Sequence, residues 1–210
     1  MNTERQPILA QLLRDSSQLW TGLEIAPVRA RPTGFAALNR LLPGHGWPLN
    51  AVIELLPTIE GIGEMQLLLP VLKRIASESQ DIVLIRPPHI PYPPAFDHLG
   101  LPLNRLIWIE ANSDQDAHWA AEQTLREGIA GAVLLWSDVS RDIVLRRLQV
   151  AARDGNGLTF LYRSPSASIA ASPAAVRMRL HPQPDGIGID ILKAQGGRTQ
   201  TLTLPLSGAA

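Results

Sequence analysis

Cysteine is absent from the 210-residue chain, which removes disulfides, thiolate zinc sites and a cysteine nucleophile together. A surplus of either charge is missing as well. The 19 basic and 19 acidic residues leave a net charge of zero, so nothing in the bulk composition demands nucleic acid. No apolar run approaches the ~18–20 residues of a membrane-spanning helix. The opening MNTERQPILAQLLRDSSQ lacks the apolar core and small-residue cleavage site of a secretory signal, and the expectation is a cytoplasmic protein. His45, His89, His98, His118 and His181 form no H-x-x-x-H or H-x-H pair, and no G-x-S-x-G occurs. Neither a metal site nor a nucleophile elbow is expected.

What the chain does contain is one block that reads as strand, loop and helix. Ala51–Leu56 is apolar apart from Glu54, with Trp47-Pro48 ahead of it and Pro57 behind. Gly61 and Gly63 punctuate a loop, where residues without a side chain permit positive φ. From Glu64 onward, Met65, Leu68, Leu69, Leu72 and Ile75 recur at the spacing of a buried helix face. Strand, glycine loop and helix is the arrangement in which an α/β protein holds a phosphate.

The chemistry for that task is missing. A phosphate loop places a lysine and a Ser/Thr just after its last glycine, whereas Gly63 is followed by Glu64 and Met65. Glutamate for lysine moves the local charge by two units beside an anionic ligand. At ~4 Å and an effective dielectric of ~20, each unit amounts to ~4 kcal/mol, and ~1.4 kcal/mol is already tenfold in affinity. The expectation is a loop (Pro57, Gly61, Gly63, Glu64, Met65) that carries its own carboxylate, favoured by the helix dipole, and binds no cofactor.

At 45% hydrophobic and 18% charged residues, the chain has the make-up of an ordinary globular protein with one sizeable core. Residues 1–29 read as a helical arm and linker, 30–206 as the domain, and 207–210 as a tail. Charge is uneven: residues 1–140 hold 10 basic against 15 acidic side chains, and 141–210 hold 9 against 4. A solvated basic face is the first reading of that polarity and a docking surface the second.

Helices are expected at 4–19, 34–42, 114–127 and 139–153, and strands at 81–86, 104–110, 132–136 and 157–162. The alternation argues a parallel sheet covered on both faces. Residues 175–181, 186–194 and 199–206 read as three short strands forming an antiparallel edge, with Gly196-Gly197 as a hairpin signal. The run Pro87–Pro94 must be extended or turned; it reads first as a rigid surface loop and second as a polyproline recognition segment. Asp114 and Asp116 read as helix caps in preference to a metal pair. Ser137-Asp138 likewise reads as the N-cap of the next helix, ahead of a functional role at the end of a strand.

The order of these pieces carries a resemblance. Thr33-Gly34, Leu38-Asn39 and Gly44-His45-Gly46-Trp47-Pro48, leading into Val52-Ile53-Glu54, resemble the approach to the first strand of the RecA recombinase core. The segment Ile189–Thr199 is similar to that core's late strands. Gly61-Ile62-Gly63-Glu64 with Leu67-Leu68-Leu69-Pro70, Gly100–Arg105, Ala152–Gly157 and Arg163–Ala167 look like the ImuA family, RecA-like accessory proteins of bacterial mutagenesis cassettes. The cell-division inhibitor SulA is its shorter relative. Together the similarities span about residues 30–206.

The resemblance implies a RecA-like, mostly parallel sheet with helices on both faces, antiparallel strands at its C-terminal edge and a degenerate phosphate loop. RecA's loop lysine and threonine fall on Glu64 and Met65, allowing a one-residue shift. Its catalytic glutamate falls at Arg86-Pro87-Pro88, and its Walker B aspartate at Trp136. That implies a pseudo-ATPase, not an enzyme. Lys193 matches a lysine that RecA protomers extend to a neighbour's ATP, which suggests capping of a RecA filament.

The implied function is a non-catalytic adapter in SOS-induced translesion synthesis, joining a Y-family-like protein, a DnaE-type polymerase and RecA. Candidate partner surfaces are the N-terminal arm, the proline loop with Pro88, Pro91 and Tyr92, and the basic residues Arg146, Arg147, Arg153, Lys193 and Arg198. The alternative is a SulA-type inhibitor that binds FtsZ. A working ATPase is opposed by Glu64 and Trp136. Direct single-strand DNA binding would use the basic third, which lacks clustered aromatics for stacking bases.

Overall fold

The structure is a computed structural model in which residues 28–138, 142–194 and 199–206 are described. The expected helix at 4–19, Gly196-Gly197, Arg198 and the tail lie outside them. Ala30–Arg31 (β1) pairs antiparallel with Trp47–Pro48 (β2). Between them Ala36–Asn39 (α1) is a single helical turn. It is shorter than the expected 34–42 because Gly34, at φ 95°, and the extended Phe35 delay its start, and Leu42 is already extended ahead of Pro43.

Apolar runs without polar alternation belong to strands covered on both faces, and the sheet places them centrally. Val52–Pro57 (β3), Asp81–Ile85 (β4), Leu106–Ile109 (β5), Ala130–Trp136 (β6) and Leu158–Tyr162 (β7) are joined by Val176–Gln183 (β8), Gly186–Ala194 (β9) and Thr201–Pro205 (β10). They form one eight-stranded sheet in the order β10-β9-β8-β3-β7-β6-β4-β5. Strands β8 through β5 in that order run parallel, and β9 and β10 are antiparallel additions at one edge. The protein is therefore mixed α/β with a large, mostly parallel sheet.

The last strands are not short. β8 and β9 have 8 and 9 residues, the longest in the sheet. β8 continues past His181 because Pro182 and Gln183 pair with Ile187 and Gly186, leaving Pro184-Asp185 as a tight two-residue turn.

Each face of the sheet has its own core. Glu64–Ser77 (α2) lays Leu67, Leu68, Leu72 and Ile75 over Ile53, Leu55 and Phe160. Met65 and Leu69, expected in that seam, sit half-buried at its margin, and Leu67 and Val71 take the fully buried places. On the opposite face, Asp114–Glu127 (α4) and Asp142–Asp154 (α5) pack Ala117, Ala121, Leu145 and Leu148 against Val83, Ile85 and Leu161. Each fully buried leucine contributes about 1.5–3 kcal/mol, so α2 is a main anchor of its face of the sheet, with Leu38, Trp47 and Leu101 in the same core.

α4 has the limits its ends dictate. The Ser113 hydroxyl accepts from the Asp116 N–H, and Gly128 closes the helix at φ 62°. The proline run is loop as far as Tyr92. Pro93 and Pro94 start a short helix, Pro93–His98 (α3), at positions where a missing N–H is no loss. Among the described residues no helix is long and apolar enough to cross a membrane.

Candidate functional site at the carboxyl ends of the parallel strands

Open parallel sheets place ligands outside the carboxyl ends of their strands, where the strand order reverses. Here the chain leaves β3 towards β4 on one side and returns from β7 to β8 on the other. The ends of β3, β4, β6 and β7 enclose a crevice of about 510 Å³, lined by Pro57, Glu64, Arg86, Trp136, Asp138 and Tyr162 among others.

The glycine loop forms one wall. Gly61 and Gly63 have φ of 80° and 102°, values that favour glycine. A Cβ on Gly63 would meet Leu206 Cδ1 at 2.3 Å, so this turn is closed over by the end of the sheet's edge. Glu64, the first residue of α2, folds back so that Oε1 accepts the N–H of Gly61 at 2.8 Å. Its Oε2 is buried without a partner among the described residues.

The floor is aromatic. β6 and β7 end in register at Trp136 and Tyr162, and the two rings stack at 4.5 Å with planes 2° apart. Tyr162 is 3% exposed. Burial, and secondly the charge of Glu64, push its phenol well above the ordinary range, so it remains neutral. The Tyr162 hydroxyl has no partner among the described residues.

A polar chain closes the far wall. Arg86, just past β4 at φ 53°, pairs with Asp114. The Ser137 hydroxyl donates to Asp114 at 3.1 Å and lies 2.8 Å from His118 Nε2. With its hydrogen directed at Asp114, Ser137 accepts from the imidazole. His118 is thus a donor here and does not activate Ser137 as a nucleophile. Burial lowers the His118 pKa, opposed by Asp114 and assisted by Arg86 and Arg147. Asp138 Oδ1 accepts the Ser164 N–H at 2.6 Å. The start of the next helix at residues 139–141, which Ser137-Asp138 was expected to cap, lies outside the described residues. Asp114 serves Arg86 and Ser137, while Ser113 provides the cap.

The crevice gathers Pro57, Glu64, Pro88 and Trp136. Gly61, Met65, Pro91 and Tyr92 line an adjoining groove of about 310 Å³, where Tyr92 is 67% exposed. The basic candidates lie elsewhere. Arg146, Arg147 and Arg153 are exposed on α5, and Arg147 pairs with the buried Glu122 at 2.5 Å. Lys193, on β9, donates to the Ser172 carbonyl at 2.7 Å. Gly63 joins the glycine loop described above, and Arg198 is outside the described residues.

Sequence reasoning passed over the most buried charge in the molecule. Glu54, in the middle of β3, is fully buried. It takes Arg177 Nε at 2.6 Å and Arg163 at 3.2 Å, and Ser172 also donates to it. Arg177 further donates to the Ala167 and Ala170 carbonyls, pinning the segment after β7. A lone glutamate inside an apolar strand was the signal. Among the described residues no group of three His, Asp or Glu is gathered for a metal ion.

Fold and crevice define an open α/β protein whose ligand-side surface is the carboxyl end of a mostly parallel sheet. No family model matches the chain, and no curated protein does. Among matching solved structures, the chain is similar to the crystal structure of SulA from Pseudomonas aeruginosa. The identity is 22% over 54% of this chain and 97% of that one, with a TM-score of 0.46. That likeness carries no argument about activity or partner.

Proposed function

We propose that this chain is a non-catalytic adapter of SOS-induced translesion DNA synthesis. It holds together a Y-family-like protein, a DnaE-type polymerase and RecA on a RecA-like scaffold that has given up its nucleotide. The observation that carries the reading is Glu64, whose carboxylate accepts the Gly61 N–H. A side-chain anion sits on the loop amide that a phosphate would need. Trp136, stacked on Tyr162, supports the same reading, because an indole stands where a carboxylate would help hold magnesium. A mostly parallel sheet with antiparallel strands at one edge also fits a RecA-like scaffold. Function then lies in surfaces, in the cytoplasm, and not in a reaction.

The test is a tagged pull-down from DNA-damaged cells with mass spectrometry. Recovery of a Y-family-like protein, a DnaE-type polymerase or RecA supports the adapter. Recovery of FtsZ in their place replaces it with the SulA-type division inhibitor.

A further inference from the structure

Four carboxylates, Glu60, Glu64, Asp114 and Asp138, line the crevice beside Arg86 and Arg163. Arg86 is tied to Asp114, and Arg163 is engaged by the buried Glu54. Among the described residues Glu64 and Asp138 have no cationic partner, and Glu60 lies 3.5 Å from His89 Nε2. Acidic residues alone would mean little, since they are commonly solvated. Two buried oxygens, each able to accept a hydrogen bond, set this cluster apart. The Tyr162 hydroxyl belongs to a side chain that is 3% exposed and lines the crevice, yet it has no partner among the described residues. Glu64 Oε2 is in the same position.

A buried polar atom left unsatisfied costs about 1–3 kcal/mol, which a ligand that donates hydrogen bonds would recover. The Gly61 N–H, the loop amide that an anion would seek, is already taken by Glu64. A flat face is available too, where Trp136 and Tyr162 stack, and aromatic faces attract cations by about 0.5–2 kcal/mol.

We propose that this crevice binds a guanidinium or ammonium group, with Glu64 Oε2 and the Tyr162 oxygen accepting its hydrogens against the Trp136–Tyr162 pair. An arginine or lysine side chain of a protein partner supplies that chemistry, and so does a free amine. The inference does not depend on the adapter reading, since cation binding is read on the isolated protein whatever the pull-down recovers.

The experiment follows the Trp136 indole N–H by NMR, assigned with Trp136→Phe, while blocked Gly-Arg-Gly is titrated into the full chain. Agmatine, blocked Gly-citrulline-Gly and pyrophosphate are run in parallel. Saturable shifts are expected with the arginine peptide or with agmatine, and the tighter of the two identifies the source. The citrulline peptide, which keeps the shape and loses the charge, should bind at least tenfold more weakly. Glu64→Gln, which can still accept the Gly61 N–H, should weaken the arginine peptide to a similar degree, and Tyr162→Phe severalfold. Failure of both cations to saturate overturns the proposal. Equal binding of the citrulline peptide, indifference to both variants, or tighter binding of pyrophosphate does so too. If Glu64→Gln lowers the melting temperature sharply, Tyr162→Phe and the citrulline comparison decide.

Discussion

Glu54 shows what a single residue can impose. Its carboxylate is fully buried between two arginines, and removing one member of such a group leaves uncompensated charge, at about 3–5 kcal/mol. Glu54→Gln is therefore expected to destabilise the fold by roughly that amount in urea unfolding. A change below about 1 kcal/mol would mean that the pairing contributes little net free energy. His118 makes a prediction about pH. Its folded-state pKa lies below the ordinary imidazole value because burial disfavours the charged ring. As pH falls, the unfolded chain takes up this proton first. The contribution of His118 to stability is thus complete above about pH 6.5 and is lost as pH drops towards the folded-state pKa. Urea midpoints at pH 7 and pH 5 should differ more for the native chain than for His118→Gln.

Among the elements, the contact between α1 and α2 turns on one glycine. Gly34 has φ 95°, and a Cβ there would lie 2.3 Å from Pro70 Cβ, midway along α2. Gly34→Ala is expected to cost about 1–3 kcal/mol through backbone strain, with an added steric term. Pro70→Gly, which removes the clashing Cβ, should recover the steric part alone, and a double-mutant cycle in chemical denaturation measures the division. This is also the scale at which the sequence was most legible. α4 runs between Ser113 and Gly128 as its capping residues require, α2 begins at Glu64, and β9 covers Gly186–Ala194. The misses share a cause. α3 starts on prolines, and β8 runs through one, because proline's local veto depends on whether its missing N–H was needed. Pro57 and Trp136 end their strands and Glu64 begins α2, and the resemblance to the RecA core, not periodicity, was what linked Glu64 with Trp136 in the sequence. The Arg86–Asp114–Ser137–His118 chain was not legible, since its members come from separate elements and meet only once the sheet has formed.

For the molecule as a whole, the crevice that defines its ligand side should refuse nucleotide. Calorimetry with MgATP is expected to give no micromolar binding, whereas binding at that level would end the pseudo-ATPase reading. The faces are also chemically unequal. Exposed Ile90 and Tyr92 stand beside the crevice at 78% and 67% exposure, while the α5 arginines lie on the covering helix layer. If the α5 arginines dock a partner, charge reversal at Arg146 and Arg153 should lower its capture and the salt dependence of that capture together. Unchanged capture would remove that surface from consideration.

The place of β3 in the sheet also sets a timetable for synthesis. The strand leaves the ribosome early, but its hydrogen-bonded neighbours are β7 and β8, and the arginines that neutralise Glu54 follow it by 109 and 123 residues. Until Arg177 emerges, the central strand carries an unmatched charge and has no completed sheet to join. Folding must therefore wait for most of the chain. The sheet closes only after β8 has been made, well behind its own central strand.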